Sequence, residues 1–257
     1  MNKVNFLKEK LFSGKPVIGT WSVIPSAITA DIIASSGIDF IIIDAEHGPI
    51  NFETAQEMII ACESRKVSPI MRIASINEQD ILKALDIGIH GIQIPNIANK
   101  KDVEQIINFS KYPPLGNRGF SPFTRSAGFF SKELKNLTSE SNKNTLIGIN
   151  IEDINSINNI DDILSIKSLD IIFIGLYDLS KSMGIPGEVD HPKITEILKN
   201  LTKKILNAGK YPGTIATNEL KMEEFVNMGM KYILFSVDCA VIKSRYLSIT
   251  NKFKSLL

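Results

Sequence analysis

Ionisable side chains directly follow the most apolar segment near the start of this chain. The run FIII at residues 40–43 leads into DAEHGP, which carries Asp44, Glu46 and His47. Because an unpaired charge is costly to bury, these side chains are expected to emerge where the segment meets solvent. Loops at strand ends are where α/β enzymes commonly keep their catalytic residues. DAEHGP is therefore a candidate active-site segment.

Two carboxylates occupy equivalent positions further along the chain. Glu152 ends the run LIGINIE, and Asp178 follows DIIFIGL. Without a cysteine pair or an HExxH motif, two oxygen ligands suit a hard cation with open water positions, Mg2+ or Mn2+, and Co2+ accepts similar ligands. Such a cation can chelate a 2-oxo acid and hold the negative charge that develops on its keto oxygen. The predicted chemistry is proton or carbon–carbon chemistry next to a carbonyl.

The remaining charged candidates suit proton transfer and charge stabilisation. Histidine titrates near neutrality, so His47 fits a proton-transfer role, and either Asp44 or Asp86, in ALDIG, could orient its ring. Arg72, at the end of SPIMRIA, is permanently charged and forked, which fits a developing enolate or a carbonyl undergoing cleavage. These four residues are the predicted catalytic group.

A substrate pocket is predicted beside them. Backbone donors of Gly175, Leu176 and Tyr177, in GLYD, could bind a substrate carboxylate. Trp21 could line the same pocket or pack in the core. By contrast, His90 precedes a strand and His191 starts a helix, so both are interpreted as structural.

The elements that must position these residues alternate along the chain. Apolar β-rich runs alternate with amphipathic stretches, the pattern of βα units around a parallel sheet. Eight runs are predicted as strands: 17–23, 40–45, 68–74, 91–97, 146–152, 170–176, 211–216 and 231–237. Eight strands in 257 residues predict an α/β fold, a (β/α)8 TIM barrel, which needs about 250 residues. In such a barrel all carboxyl ends share one rim, so the candidates can converge.

Helix periodicity and cap residues fit the same scheme. Six stretches have helical spacing: 26–37, 51–66, 77–88, 100–112, 191–209 and 218–229. Gly37, Gly88, Gly209 and Gly229 are predicted to close helices. Asn77 and Asp190 are predicted N-caps, with Pro192 in a first turn. Residues 112–145 are too long for an ordinary connection and predict a lid or an interface element.

Composition excludes several classes of protein. Lys and Arg number 29 against 28 Asp and Glu, with no basic block, so no nucleic-acid partner is expected. No apolar run approaches the roughly 18 residues of a membrane helix, and the start has no signal-peptide pattern, which predicts a cytoplasmic protein. We find no GxSxG, Walker or GxGxxG motif and no lysine in the inner parts of the eight predicted strands, which disfavours esterase, nucleotide and Schiff-base chemistry. Residues 1–257 are predicted to form a single domain.

Several separated motifs together resemble one enzyme family. GTWSV, DAEHGP, MRIA, ALDIGIHGIQIP, YPPLGNRG, NIED and FIGLYDLSKSMGIPGEVDHP resemble, in the same order, the HpcH/HpaI family of metal-dependent class II pyruvate aldolases. The resemblance implies a (β/α)8 barrel that cleaves 4-hydroxy-2-oxo acids to pyruvate and an aldehyde with Mg2+ or Mn2+. It implies that Glu152 and Asp178 bind the metal, that His47 is the acid/base and that Arg72 meets the reacting carbonyl.

The resemblance also implies an oligomeric state, and it shows two positions at which this chain departs from the family pattern. The family forms hexamers built from dimers, and the C-terminal stretch CAVIKSRYLSITNKFKSLL is amphipathic enough to form a helix that packs on a neighbouring subunit. Two positions depart from the family pattern: Asn150 stands where glutamine is frequent, and Leu176 where proline commonly precedes YDLS. Both bear on the carboxylate pocket and hence on which substrate is accepted.

Three functions therefore remain open. The first is an aldolase acting on a 4-hydroxy-2-oxo acid, of the 2-keto-3-deoxy sugar acid or diacid type. The second is an acyl-CoA ester lyase of the citrate-lyase β type, which ranks lower because no basic tract for the CoA phosphates is evident. The third is a barrel that binds a small 2-oxo acid without turnover.

Overall fold

Eight parallel strands close into a barrel in the computed structural model, which describes residues 5–130 and 134–257. Each strand pairs with the next along the chain, and β8 pairs with β1. The strands are β1 Val17–Ser22, β2 Phe40–Asp44, β3 Ser68–Arg72, β4 Gly91–Ile94, β5 Leu146–Ile151, β6 Ile171–Ile174, β7 Tyr211–Ala216 and β8 Tyr232–Val237. The predicted barrel and its eight strands are confirmed.

The helices run between these strands on the outside of the barrel. In the described residues they are α1 Phe6–Phe12, α2 Ala27–Ala34, α3 Phe52–Ser64, α4 Glu78–Asp86, α5 Lys100–Ser110, α6 Leu134–Asn144, α7 Ile154–Asn158, α8 Ile160–Leu164, α9 Leu176–Ser182, α10 Pro192–Asn207, α11 Glu219–Met228 and α12 Asp238–Lys254. All six predicted helical stretches are confirmed. Five further helices, which are short or polar, were not predicted from the sequence: α1, α6, α7, α8 and α9.

Most of the predicted caps are confirmed, with one correction. The four predicted closing glycines have φ between 70° and 100°, the left-handed region where a side chain would be strained. The side chain of Asn77 accepts a hydrogen bond from the Asp80 amide, as expected of an N-cap. Asp190 is not the cap of α10: His191 takes that place by accepting from the Lys193 amide, and Asp190 pairs with Lys221 instead.

Strand alternation divides the apolar side chains into two cores. Ile41 and Ile43 point outwards from β2 and pack under the helices, whereas Phe40 and Ile42 fill the barrel interior. Inside, the ring of Phe40 stacks on Tyr232 with centroids 4.2 Å apart. These side chains are fully buried, and each contributes about 1.5–3 kcal/mol by leaving water.

Helix α1 closes the amino end of the barrel. Leu7 and Leu11 are fully buried in the interior core, and the Leu7 amide donates to Ser68 Oγ at the start of β3. The side-chain amide of Asn5 donates to the carbonyls of His90 and Asn144. Apolar side chains of α1 therefore fill the amino end of the barrel interior.

Helix α12 is confirmed as a helix but most of its side chains are exposed. Val241, Ile242, Tyr246, Leu247 and Phe253 all remain largely accessible to solvent. Its predicted packing on a neighbouring subunit stays a prediction. Among the described residues, no helix has the length and apolar content needed to cross a membrane.

Part of the long segment 112–145 folds as helix α6, and its first half is irregular around Arg118 and forms turns around Arg125. Both arginines tie it to the barrel: Arg118 pairs with Asp86 and Arg125 with Glu63. The predicted role as a lid or an interface stays a prediction.

Candidate active site

The carboxyl end of the barrel gathers most of the predicted site residues. Asp44 and Arg72 end the adjacent strands β2 and β3, and the two are directly paired across the sheet. Glu152 follows β5, and Asp178 lies in the first turn of α9, after β6. The rim is formed because every strand is parallel, so every carboxyl end points the same way.

The Arg72 guanidinium is held on three sides. Its Nε donates to Asp44 Oδ1 at 2.8 Å and its Nη2 to Asp44 Oδ2 at 2.6 Å, a forked pair with a fully buried carboxylate. Nη1 lies 3.0 Å from Glu46 Oε2, and the guanidinium carbon lies 4.0 Å from the centre of the Trp21 ring. Two carboxylates and an aromatic face therefore fix Arg72 with little rotational freedom.

Trp21 supports Arg72 from inside the barrel. Its indole is buried and meets Phe173 edge-on, with ring centroids 5.7 Å apart. Of the two positions predicted for Trp21, the structure shows the core position, with one face turned to the Arg72 cation. A substrate contact of Trp21 stays a prediction.

Glu46 also lies beside Arg72 and His47 at this rim, although the sequence pattern predicts no role for it. Its side chain is only 16% exposed, and its Oε2 lies 4.0 Å from His47 Nε2 as well as near Arg72. In the described part of the chain, this buried oxygen lacks a hydrogen bond of good geometry. Burial raises the pKa of the Glu46 carboxyl, and the charges of Arg72 and His47 partly oppose the shift. The sequence feature that could have indicated a role for Glu46 is its position in DAEHGP, two residues after Asp44.

His47 lies in the loop that follows β2, at the carboxyl end of the barrel. Its side chain is 68% exposed, so it is free to meet a substrate. Asp44 accepts from the backbone amides of Glu46 at 3.0 Å and His47 at 3.4 Å, and so shapes the loop rather than holding the ring. The acidic group near the ring is Glu46.

Asp86 does not join this cluster within one chain. It is the last residue of α4, which leads into the amino end of β4, and its carboxylate accepts from Arg118 Nη2 at 2.7 Å. The predicted contact with the His47 ring is therefore not formed, since the end of a helix that precedes a strand lies at the opposite face from the catalytic rim.

Glu152 is the most constrained carboxylate of the rim. It is buried, with Oε1 accepting from the Asn96 amide at 2.6 Å and Oε2 accepting from Asn150 Nδ2 at 3.1 Å. Burial raises its carboxyl pKa; the two donors lower it, and the nearby Asp178 charge raises it again. Each oxygen keeps a second lone pair for another ligand.

A cation would fit beside Glu152 and Asp178. Asp178 is exposed and Glu152 is buried. Burial and the charge of Asp178 both disfavour the ionised form of Glu152, and a cation bound to the two carboxylates would offset that cost. Among residues 5–130 and 134–257, no group of three or more His, Cys, Asp and Glu side chains could hold a metal. Two carboxylate donors with water in the other positions suit Mg2+ or Mn2+ rather than a closed zinc site.

The loop after β6 packs tightly against this carboxylate. At Gly175 an added Cβ would lie 3.0 Å from Glu152 Oε2, so glycine leaves the space that the carboxylate occupies. The Gly175 amide donates to the Ile151 carbonyl at 3.0 Å and is already engaged. Leu176 is buried and Tyr177 is exposed. Of the three predicted carboxylate-binding residues, Leu176 and Tyr177 contribute the amides of the first turn of α9.

The chain matches the family model described as HpcH/HpaI aldolase/citrate lyase over residues 18–243. It is 28% identical over 252 residues to a hydroxypyruvate/pyruvate aldolase of Roseobacter denitrificans, which covers 98% of each chain. It is also 28% identical over 238 residues to a 4-hydroxy-2-oxo-heptane-1,7-dioate aldolase of Salmonella heidelberg, covering 93% of this chain and 90% of that one. The solved structure of the citrate synthase SbnG superposes with a TM-score of 0.88 at 30% identity, with 98% of each chain covered. This chain belongs to the HpcH/HpaI aldolase/citrate lyase family.

Proposed function

We propose that the protein is a carbon–carbon lyase, a class II aldolase that reversibly cleaves a 4-hydroxy-2-oxo acid to pyruvate and an aldehyde. The observation that carries the proposal is the fixed Arg72 cation on the same rim as Glu152 and Asp178. Pyruvate and 4-hydroxy-2-oxo acid aldolases are among the relatives. A 2-keto-3-deoxy sugar acid or a diacid is the proposed type of substrate.

We propose Glu152 and Asp178 as the metal ligands, with Mg2+ or Mn2+ as the preferred cation and Co2+ as a third candidate. When bound, the cation supplies Lewis acidity towards the carboxylate and keto oxygens of the 2-oxo acid. Glu152 offers one free lone pair on each oxygen, because Asn96 and Asn150 occupy the others. Asp178, at the exposed side, leaves room for substrate and water.

The protein supplies charge stabilisation through Arg72. Asp44 and Glu46 hold its guanidinium in one orientation before substrate arrives, so little reorganisation is needed as negative charge grows on the keto oxygen. The Trp21 face beneath it excludes water from one side. A donor fixed in this way stabilises the transition state more than a mobile one does.

His47 moves the proton in this proposal. Its Nε2 accepts the proton of the C4 hydroxyl during cleavage and returns it in the aldol direction, directly or through a water. The Glu46 carboxylate, 4.0 Å from Nε2, stabilises the ring once it is protonated. Asp44 contributes by shaping the DAEHGP loop, and Asp86 has no role at this rim within one chain.

Substrate binding is assigned to the loop after β6 and to the neighbouring strand. The amides of Leu176 and Tyr177 are proposed to receive the substrate carboxylate, with Gly175 as the residue whose missing side chain lets this loop lie against Glu152. Asn150 and Trp21 are proposed to line the floor of the same pocket. The exposed Tyr177 side chain then lies where the aldehyde part of the substrate leaves.

The enzyme is proposed to work as a cytoplasmic homo-oligomer, a hexamer or trimer of dimers, with no nucleic-acid or membrane partner. The exposed apolar side chains of α12, among them Tyr246 and Phe253, support assembly, because a second subunit would cover them. Size-exclusion chromatography with light scattering tests it, and a monomer at micromolar concentration would count against it.

The proposed activity can be tested without knowing the aldehyde. Purified protein is stripped with a chelator, and exchange of the pyruvate C3 protons in D2O is followed by NMR with and without Mg2+ or Mn2+. Metal-dependent exchange that is lost in His47→Ala supports the proposal. A folded protein that binds these metals and gives no exchange contradicts it.

A second function is favoured by one observation: the solved citrate synthase SbnG shares 30% identity over 98% of both chains. Chemistry on an acyl-CoA ester, of the citrate-lyase type, would use the same rim with a thioester in place of the aldol. Release of free CoA from an acyl-CoA ester in the presence of a 2-oxo acid, with no aldol cleavage, would select it. Tight 2-oxo acid binding with neither reaction would instead indicate a non-catalytic barrel.

A further inference from the structure

A continuous chain of polar side chains crosses the interior of the barrel and ends at Glu152. The hydroxyl of Tyr232 donates to Gln93 Oε1 at 3.3 Å, and Gln93 Nε2 donates to Asn150 Oδ1 at 2.8 Å. Asn150 Nδ2 then donates to Glu152 Oε2 at 3.1 Å. The chain joins β8, β4 and β5, three separate strands of the barrel.

The Glu152 carboxylate at the end of this chain of side chains fixes which groups donate and which accept. An ionised Glu152 can only accept, so Asn150 must present its amide nitrogen there and its oxygen to Gln93. Gln93 must in turn donate through its nitrogen, which leaves its oxygen to accept from the Tyr232 hydroxyl. Burial raises the pKa of the Tyr232 phenol well above its usual value, so it remains a donor. Every link therefore favours one orientation of the Glu152 carboxylate.

The surroundings make this chain rigid. Tyr232, Gln93 and Asn150 are each at least 99% buried, and the Tyr232 ring is stacked on Phe40. In so dry a place a broken link leaves a buried donor or acceptor without a partner, which costs more than the bond itself is worth. The amides cannot rotate without breaking two bonds at once.

The other oxygen of Glu152 is held from the opposite side. Asn96 has φ of 59°, the left-handed region, and this conformation points its amide at Glu152 Oε1. The strand β4 ends at Ile94 rather than at the predicted residue 97, and Asn96 just beyond it has this left-handed conformation. Glu152 is thus held by the Asn96 amide on one oxygen and by the buried side chain of Asn150 on the other.

We propose that Tyr232 and Gln93 are positioning residues that act through Asn150 to set the orientation of Glu152 and thereby its affinity for a divalent cation. The inference rests on the proposed function in taking Glu152 as a metal ligand. Neither Tyr232 nor Gln93 has to touch the cation or the substrate. Residues that orient a metal ligand commonly change metal affinity by about 10- to 100-fold when they are removed.

The test measures Mn2+ binding to the full-length protein, by electron paramagnetic resonance of free Mn2+, in Asn150→Ala, Gln93→Leu and Tyr232→Phe. The expected loss of affinity is graded: about tenfold or more for Asn150→Ala, less for Gln93→Leu and about threefold for Tyr232→Phe, since each is one link further away. Tyr211→Phe is the matched control. It removes a tyrosine hydroxyl on the adjacent strand β7 that takes no part in the hydrogen bonds linking Tyr232, Gln93, Asn150 and Glu152.

A second readout separates positioning from general loosening. In the pyruvate exchange assay, the rate of Tyr232→Phe should recover at saturating Mn2+, since only cation affinity is weakened. The inference is overturned if Tyr232→Phe and Gln93→Leu both bind Mn2+ as tightly as the unsubstituted protein does. It is also overturned by a loss that appears equally in Tyr211→Phe or follows a drop in melting temperature. If Tyr232→Phe does not fold, Gln93→Leu decides alone.

The outcome is independent of whether the protein is an aldolase. A graded loss of Mn2+ affinity without any pyruvate exchange upholds the positioning chain and rejects the proposed activity. Metal-dependent exchange with unchanged affinity in both variants does the reverse.

Discussion

The two ends of the barrel carry charged side chains of the same types in different surroundings. At the amino end, His90 is held by Ser68 and Glu63, each at 3.2 Å, and Arg118 pairs with Asp86 and covers the Tyr112 ring. At the carboxyl end, His47 and Asp178 are exposed and Glu152 is desolvated.

Two buried lysines extend the contrast. Lys111 Nζ donates to the carbonyls of Asn142 and Thr145, and Lys210 Nζ to those of Ile166 and Leu169. Burial lowers the pKa of Lys111 to about 8 and lowers that of Lys210 as well. Their bonds tie together the segments that lead into the strands, so the amino end uses charge for stability.

The cavity at the amino end lies away from the candidate site. A cavity of about 560 Å³ lies at the amino end, beside His90, Arg118 and Tyr112. Yet the charges around it are paired with one another; among the described residues only Arg118 Nε lacks a partner there. Exposed or desolvated charges that are not fully paired, more than empty volume, therefore distinguish the candidate site.

Replacing one histidine at each end gives the largest expected contrast. His47→Gln should lower the rate of metal-dependent pyruvate exchange by about 10²–10⁴-fold, the range for loss of an acid/base. His90→Gln should leave the rate unchanged and lower the free energy of unfolding by about 1 kcal/mol through its lost hydrogen bonds. NMR exchange and urea unfolding measure both. Equal rates in the two variants would contradict the comparison.

The fork of Arg72 can be tested against a fork on the surface. Arg72→Lys should slow exchange by about 10²–10³-fold, because a lysine cannot keep both bonds to Asp44 while facing the substrate. Arg65 makes a similar fork with Asp31, at 2.7 Å and 3.1 Å, but both are exposed. Arg65→Lys is the control and should leave the rate unchanged. A normal rate in Arg72→Lys would remove the arginine from the mechanism.

Replacing a buried lysine at the amino end should lower the stability of the fold without changing the exchange rate. Lys210→Met leaves the carbonyls of Ile166 and Leu169 without their donor, which should lower the free energy of unfolding by about 1–3 kcal/mol. The exchange rate per folded molecule should not change. If it falls while the fold is retained, the two ends are coupled and the comparison fails.

The smallest expected effect concerns pH. The pKa of the Glu46 carboxyl is raised from 4.5 by burial, so the folded protein holds this proton more tightly than the unfolded chain. Its contribution to stability is therefore present below pH 4.5 and lost as the pH rises through the raised pKa. Metal-free Glu46→Gln should lack this loss. Thermal unfolding of both proteins from pH 4.5 to 8 measures it, and a constant difference between them would contradict the assignment.

Local pattern was enough for the fold and for part of the site. The eight strands and six helices were predicted because hydrophobic periodicity, glycine caps and asparagine caps act within a few residues of the chain. The end of β4 differs from the predicted one, since Asn96 has a left-handed backbone conformation that a strand does not continue through. The short helices α7 and α8 were missed because five residues carry too little periodicity.

The sequence pattern places Asp44, His47, Arg72, Glu152 and Asp178 at or just after the ends of strands, and the carboxyl ends of parallel strands share one rim of a barrel. The partners of these side chains follow only from the folded structure. It gave Arg72 the second carboxylate of Glu46, sent Asp86 to Arg118 at the other end, and brought Tyr232 to Gln93 across 139 residues. Such partners depend on barrel closure and side-chain packing, which join residues with no local relation in the chain.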